Sequence, residues 1–138
     1  MNICIFVGAR PNFIKIAPIV RAIDKAKAEG KEIGSSLVYA GRDDDPTLEP
    51  SLFDDLQIGR PDVCLGVDCV NLNELTGQVM SAFERYLQEH STDVVIVVDD
   101  LASTMAAAIV TKKQGILLAH LVAGTRSFDI SMPKEINR

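Results

Sequence analysis

No stretch of this 138-residue chain approaches the roughly 20 consecutive apolar residues of a membrane span. Its first residues, Met1-Asn2-Ile3-Cys4-Ile5-Phe6-Val7, carry no basic segment and only a short apolar run. They read as a first β-strand and not as a signal peptide. Positive charge is also in deficit: 14 Lys and Arg stand against 19 Asp and Glu, a net charge of -5. That balance argues against nucleic acid or an anionic membrane as the main partner, so a phosphate-bearing ligand must be met by local charge. Cysteine is scarce and odd in number. Cys4, Cys64 and Cys69 lack metal-ligand spacing, so neither a disulfide framework nor a metal site is expected. Cys4 is expected in a core strand and the other two as reduced thiols, for which the cytoplasm is the simplest setting. A G-x-G-x-x-G turn, a P-loop, an internal repeat and a low-complexity segment are all missing. No spacing indicates a Ser/His/Asp or Cys/His set, and no cofactor is expected.

What is present is an ordinary globular balance, 47% hydrophobic and 24% charged, at the length of one domain, residues 1–138. Five apolar runs have strand length: Ile3–Val7, Ile33–Tyr39, Val63–Gly66, Val94–Val98 and Ile116–Val122. Most are continuous rather than alternating, as strands are when helices cover both faces of a parallel sheet. Between them lie helical patterns. Phe13, Ile16, Val20 and Ile23 form one, ended by Gly30. Leu72, Leu75, Val79, Phe83 and Tyr86 form a second, with Asn71 and Glu74 as a capping box. A third is expected from Ala102 to Lys113. The β-α-β-α order predicts an α/β fold with a doubly wound, largely parallel, Rossmann-like sheet and right-handed crossovers. Ala40 to Pro50 is the longest irregular stretch. Ser127 to Pro133 reads as loop, and Lys134 to Arg138 as the opening turn of a helix, which implies a truncated chain or half of something larger.

Ligands of open α/β sheets bind beyond the carboxyl ends of the strands. That rule selects Gly8–Pro11, Ala40–Asp45, Asp99–Thr104 and Ala123–Asn137. At the first, Gly8 allows a close backbone turn, and Arg10 and Lys15 sit at or just inside a helix N-terminus, where an anion is favoured. An ordinary capped turn is the equally weighted alternative. Asp99 and Asp100 could act as a base or bind a hydroxyl or a metal; the bland alternative has one capping the next helix and the other solvated. His120 is expected as a hydrogen-bonded core residue, His90 as a surface residue at a helix end, and Asp43 to Asp45 as a solvated turn.

Several segments carry a resemblance. Gly8-Ala9-Arg10-Pro11-Asn12-Phe13-Ile14-Lys15-Ile16-Ala17-Pro18 resembles the G-T-R-P-E-x-I-K-x-A-P opening of the non-hydrolysing UDP-N-acetylglucosamine 2-epimerases. Leu56-Gln57-Ile58-Gly59-Arg60-Pro61-Asp62 with Leu65-Gly66-Val67 is similar to their L-G-I-x-x-P-D-x-x-L-G-V. Ala119-His120-Leu121-Val122-Ala123-Gly124-Thr125-Arg126-Ser127-Phe128-Asp129 resembles A-H-V-E-A-G-L-R-S-F-D, and Met132-Pro133-Lys134-Glu135-Ile136-Asn137-Arg138 resembles M-P-E-E-I-N-R. The resemblance implies the N-terminal half of a two-domain GT-B-like fold. It implies UDP-GlcNAc or UDP as ligand, and conversion of UDP-GlcNAc to UDP-ManNAc by elimination and re-addition of UDP. The unfinished edge at Arg138 is expected to favour a homodimer or pairing with a separate C-terminal half.

Carried over by motif, Arg10 and Lys15 would face the diphosphate or the reacting sugar. Asp100 matches the carboxylate of a G-D-T strand end, and Arg126 and Arg138 match arginines near the substrate. Asp100, Lys15 and Glu135 are the catalytic candidates; Arg10, Lys15, Arg126 and Arg138 are the binding candidates. The departures matter. The glutamate of H-V-E-A-G is Val122, the first glutamate of P-E-E is Lys134, T-G-Q-H reads Ala40-Gly41-Arg42-Asp43, the glycine of G-D-T is Asp99, and the glutamate of G-T-R-P-E is Asn12. Glu135 is one helical position, about 100°, from the replaced glutamate and is not expected to substitute for it. Losing a general acid or base costs on the order of 10²–10⁴ in rate, so the chain alone is expected to be inactive. The alternatives are a non-catalytic nucleotide-sugar-binding or regulatory module, and a sugar-nucleotide enzyme that uses Asp99, Asp100 and Lys134 differently.

Overall fold

β1 (Asn2–Val7) is apolar on both sides because it lies at the centre of the sheet, with Ile3 to Val7 all buried. The computed structural model describes residues 1–138. After β1 come α1 (Arg10–Ala28), β2 (Gly34–Tyr39), α2 (Pro50–Leu56), β3 (Val63–Cys64), α3 (Leu72–Glu89), β4 (Val94–Val98), α4 (Ala102–Lys113), β5 (Leu117–Leu121) and α5 (Pro133–Asn137). Every strand pair is parallel, and the order across the sheet is β3-β2-β1-β4-β5. The expected doubly wound, Rossmann-like α/β fold is observed.

Alternation along β1 divides the core into two layers. Cys4 and Phe6 join Val79, Phe83, Ala106 and Val110 of α3 and α4 on one face. Ile3, Ile5 and Val7 join Phe13, Ile16, Leu52 and Phe53 of α1 and α2 on the other. Aromatic contacts tie both layers: Phe6 lies 5.0 Å from Phe83, and Phe13 meets Phe53 edge-on at 5.3 Å. Burial pushes the Cys4 thiol up to about 12, which leaves it an inert core residue.

The expected capping of α3 is half right. The Asn71 side chain accepts from the N–H groups of Asn73 and Glu74, whereas the Glu74 side chain accepts from the Gln78 amide instead of reaching back to Asn71. α2 is not legible as a helix in the sequence, being seven residues long and entered through Pro50. β3 is shorter than its apolar run, because the backbone turns away at Gly66, where φ is +75°. β5 departs most from expectation. It pairs only with β4 and is the sheet's edge, so Leu117 is 69% exposed where the apolar run predicts a strand buried on both faces.

Candidate functional site

The strand order reverses between β1 and β4. Their following helices, α1 and α4, leave to opposite faces, opening the crevice where such sheets take ligands. Gly8 ends β1 there. A Cβ at this position would fall 2.1 Å from Ser103 Oγ and 3.2 Å from Leu101 Cδ1, so only glycine lets the turn press against the start of α4. Ala9, at the N-cap of α1, has no side-chain acceptor. Asn12 supplies one from inside the helix: its Oδ1 accepts the Gly8 N–H at 2.9 Å.

Asn12 is buried, and its Nδ2 donates to Asp99 Oδ2 at 2.8 Å. Lys15 Nζ donates to Asp99 Oδ1 at 2.6 Å. The Asp99 side chain is 16% exposed and that of Lys15 42%, so the pair is shielded on one side and open on the other. Asp99 holds a φ of +64°, which aspartate tolerates better than most residues. Its N–H donates to the Leu121 carbonyl at 3.2 Å, and His120 Nε2 lies 2.7 Å from its carbonyl. His120 itself is exposed rather than buried in the core. Neither aspartate caps α4: Leu101 is the N-cap residue, and no side chain caps it.

Asp100 anchors a second cluster. Arg138 reaches its Oδ2 with Nε at 2.9 Å and Nη2 at 2.8 Å. Lys134 Nζ stands 3.9 Å from Oδ1, and Asn137 Nδ2 donates to the Asp100 carbonyl at 2.9 Å. Arg138 Nη1 also meets Glu135 Oε2 at 2.9 Å. That same oxygen accepts from the Ser127 hydroxyl at 2.6 Å and the Ser127 N–H at 2.7 Å. The Ser127 donors, with Arg138 beyond them, bring the Glu135 carboxyl down to about 2.

Among the residues picked from the sequence, Asp100, Glu135 and Arg138 therefore share one network, and Lys15 shares another with Asp99. Arg10 is exposed at the first position of α1 and forms no ion pair. Arg126 is exposed and donates only to the adjacent Thr125 carbonyl at 2.8 Å. Sequence reasoning misses Ser127 and Asn137 as partners, and does not see Asn12 as the hub joining Gly8 to Asp99. Asn12 carries one signal: it is a polar residue beside Phe13 on the helical face that packs inward.

A cleft of about 490 Å³ adjoins this edge, lined by Gly8 and Ser103 and by Tyr39, Arg42, Asp45 and Val67 among others. Arg42 clamps Asp44 through Nε at 2.9 Å and Nη2 at 2.8 Å. Asp45 is not merely solvated: it accepts from the Tyr39 hydroxyl at 2.7 Å and from Thr47, and these donors hold its carboxyl below the ordinary range. Lys15, Asp99 and Asp100 stand outside this cleft.

A family model described as UDP-N-acetylglucosamine 2-epimerase matches residues 25–138. A UDP-N-acetylglucosamine 2-epimerase homolog of Methanococcus maripaludis is 37% identical over 138 residues, covering all of this chain and 37% of that protein. A UDP-2,3-diacetamido-2,3-dideoxy-D-glucuronate 2-epimerase of Pseudomonas aeruginosa is 33% identical, again over the whole chain and 38% of its own length. Among solved structures, the Methanocaldococcus jannaschii UDP-GlcNAc 2-epimerase in complex with UDP-GlcNAc and UDP superposes with a TM-score of 0.86 at 33% identity. That match covers 100% of this chain and 37% of that one. The chain thus spans little more than a third of the length of the relatives it matches.

Proposed function

The chain belongs to the UDP-N-acetylglucosamine 2-epimerase family, and from that premise we propose that it forms the N-terminal wall of a nucleotide-sugar site and does not epimerise by itself. The switch-point edge between β1 and β4 faces the ligand in this reading. Arg10 and Lys15 at the start of α1 meet the diphosphate or the sugar, and Arg138 and Arg126 stand on the neighbouring segment. Support comes from the shared fold of the M. jannaschii enzyme whose structure holds UDP-GlcNAc and UDP.

The observation that carries the catalytic half of the proposal is the state of the carboxylates. Moving a proton at C2 needs groups whose pKa lies near the working pH. Glu135, held at about 2, is a weak base at neutral pH, and Asp100 is committed to Arg138 on Oδ2. Val122, where the family motif carries a glutamate, offers a hydrocarbon surface that is 56% exposed. Lys134 brings a cation to within 3.9 Å of Asp100 where the motif has a second glutamate. A second domain closing the cleft from the other side is part of the proposal. Exposed Phe128, Ile130 and Ile136 favour pairing of this edge with another protein surface.

Incubating the purified chain with UDP-GlcNAc and following the anomeric and C2 proton signals tests the catalytic claim. The expected spectrum is unchanged substrate; UDP-ManNAc or 2-acetamidoglucal above background would refute it.

A further inference from the structure

The polar groups at the switch point form one ordered chain of hydrogen bonds: Gly8 N–H to Asn12 Oδ1, Asn12 Nδ2 to Asp99 Oδ2, and Lys15 Nζ to Asp99 Oδ1. Each amide atom of Asn12 has one assigned role. Its oxygen must face Gly8, because a backbone N–H can only donate, and its nitrogen must then face Asp99. The carboxylate of Asp99 is therefore the sole acidic group in this chain of contacts, and both of its oxygens are used. The structural cost is a left-handed backbone at residue 99, which aspartate and asparagine share with glycine as tolerated residues.

We propose that Asp99 is the positioning residue for Lys15, and that Asn12 and Asp99 are a coupled pair in which a single negative charge can stand on either partner. Two lines meet in this. The first is geometric: asparagine and aspartate are isosteric, so exchanging them, Asn12→Asp with Asp99→Asn, keeps every hydrogen bond. In the exchanged pair, the carboxylate at position 12 accepts from the Gly8 N–H and from the side-chain amide at position 99. The oxygen of that amide accepts from Lys15. The second line is in the motif. Position 12 is acidic and position 99 is glycine in the pattern this chain resembles; here the acid is at 99 and the neutral residue at 12, and the two side chains touch. The corner's one carboxylate thus stands on the β4–α4 turn and not on α1. Asp99 acts through Lys15, and its importance rests on the reading of that corner as the ligand-facing edge.

The test needs no ligand, so its failure is separable from failure of the nucleotide-sugar reading. Thermal midpoints of the chain would be measured for Asn12→Asp, Asp99→Asn and the double variant, along with the Lys15 ammonium proton signal by NMR. Asn12→Asp alone places two carboxylates at hydrogen-bond distance and lowers the midpoint. Asp99→Asn alone leaves two amides without an acid, lowers the midpoint, and speeds Lys15 ammonium exchange roughly tenfold by removing a charge-assisted hydrogen bond. Combined, they restore the midpoint, so Asp99→Asn changes sign from harmful to helpful, while the Lys15 signal recovers only in part because its acceptor is a neutral amide oxygen in place of a carboxylate. Additive losses, or a Lys15 signal indifferent to Asp99→Asn, would overturn the proposal. If Asn12→Asp does not fold, the Lys15 signal in Asp99→Asn alone still decides whether Asp99 holds that side chain.

Discussion

The corner around Gly8 and the segment from Val122 to Arg138 lie at the same edge of the sheet, yet different physics holds them. The corner is built on apolar layers. Asn12 is flanked by Phe13, which is fully buried against Tyr39 and Phe53, and Gly8 is pinned by its fit against Ser103. The segment beyond β5 buries no side chain: Phe128 is 93% and Ile130 83% exposed, and α5 contributes nothing to the core. It is tied down by polar contacts through Asp100, Arg138, Glu135 and Ser127. Packing makes the corner cooperative with the fold, whereas an ion-paired strap can open without unfolding the rest.

The largest expected contrast tests that division directly. Phe13→Ala removes a buried ring and should cost about 3–5 kcal/mol in urea denaturation, while Phe128→Ala should stay within about 0.5 kcal/mol. Equal losses would erase the distinction. Arg138→Met comes next. It should expose the amides of Ser127 to Asn137 to hydrogen exchange and the segment to proteolysis, with the denaturation midpoint of the sheet nearly unchanged. A global loss instead would make the strap part of the core.

Acid should act on the strap in the same way. The Glu135 carboxyl is lowered from an ordinary 4.5 to about 2, so its contribution is fully present above pH 4.5. It is lost as the pH falls from there through about 2. The Ser127 amide should therefore remain protected at about pH 5 and lose protection between about pH 4 and 2, and Glu135→Gln should remove that dependence. The smallest effect concerns Val122. A β-branched residue at φ +58° is strained, so Val122→Gly should gain up to about 1 kcal/mol, the relief of a left-handed residue less the added freedom of glycine.

The same contrast explains what is legible in the sequence. Strands with continuous apolar runs and helices with a clear stripe can be placed because burial selects for those patterns of residue type; Val94–Val98 and Ala102–Lys113 are found where expected. β5 cannot be told from a buried strand, since an apolar run does not report whether a neighbour exists on its far side. At the site, the Gly8 turn and the candidates Lys15 and Asp100 can be named from residue type and position, and Arg138 from the motif it resembles. Their partners cannot. The Asn12–Asp99 contact joins residues 87 positions apart, and the capture of Glu135 by Ser127 depends on how an irregular loop folds back. His120 departs from expectation for the same reason as β5: an edge strand leaves its side chain in solvent.

Whether the edge between β1 and β4 is the ligand-facing wall is tested most directly by titrating UDP-GlcNAc into the isotopically labelled chain and following backbone amide shifts. Perturbations should concentrate at Arg10 to Lys15, at Asp99 to Leu101 and at Arg138. Shifts absent from those positions, or confined to Arg42, Asp44, Asp68 and Cys69 around the neighbouring cleft, would contradict that assignment.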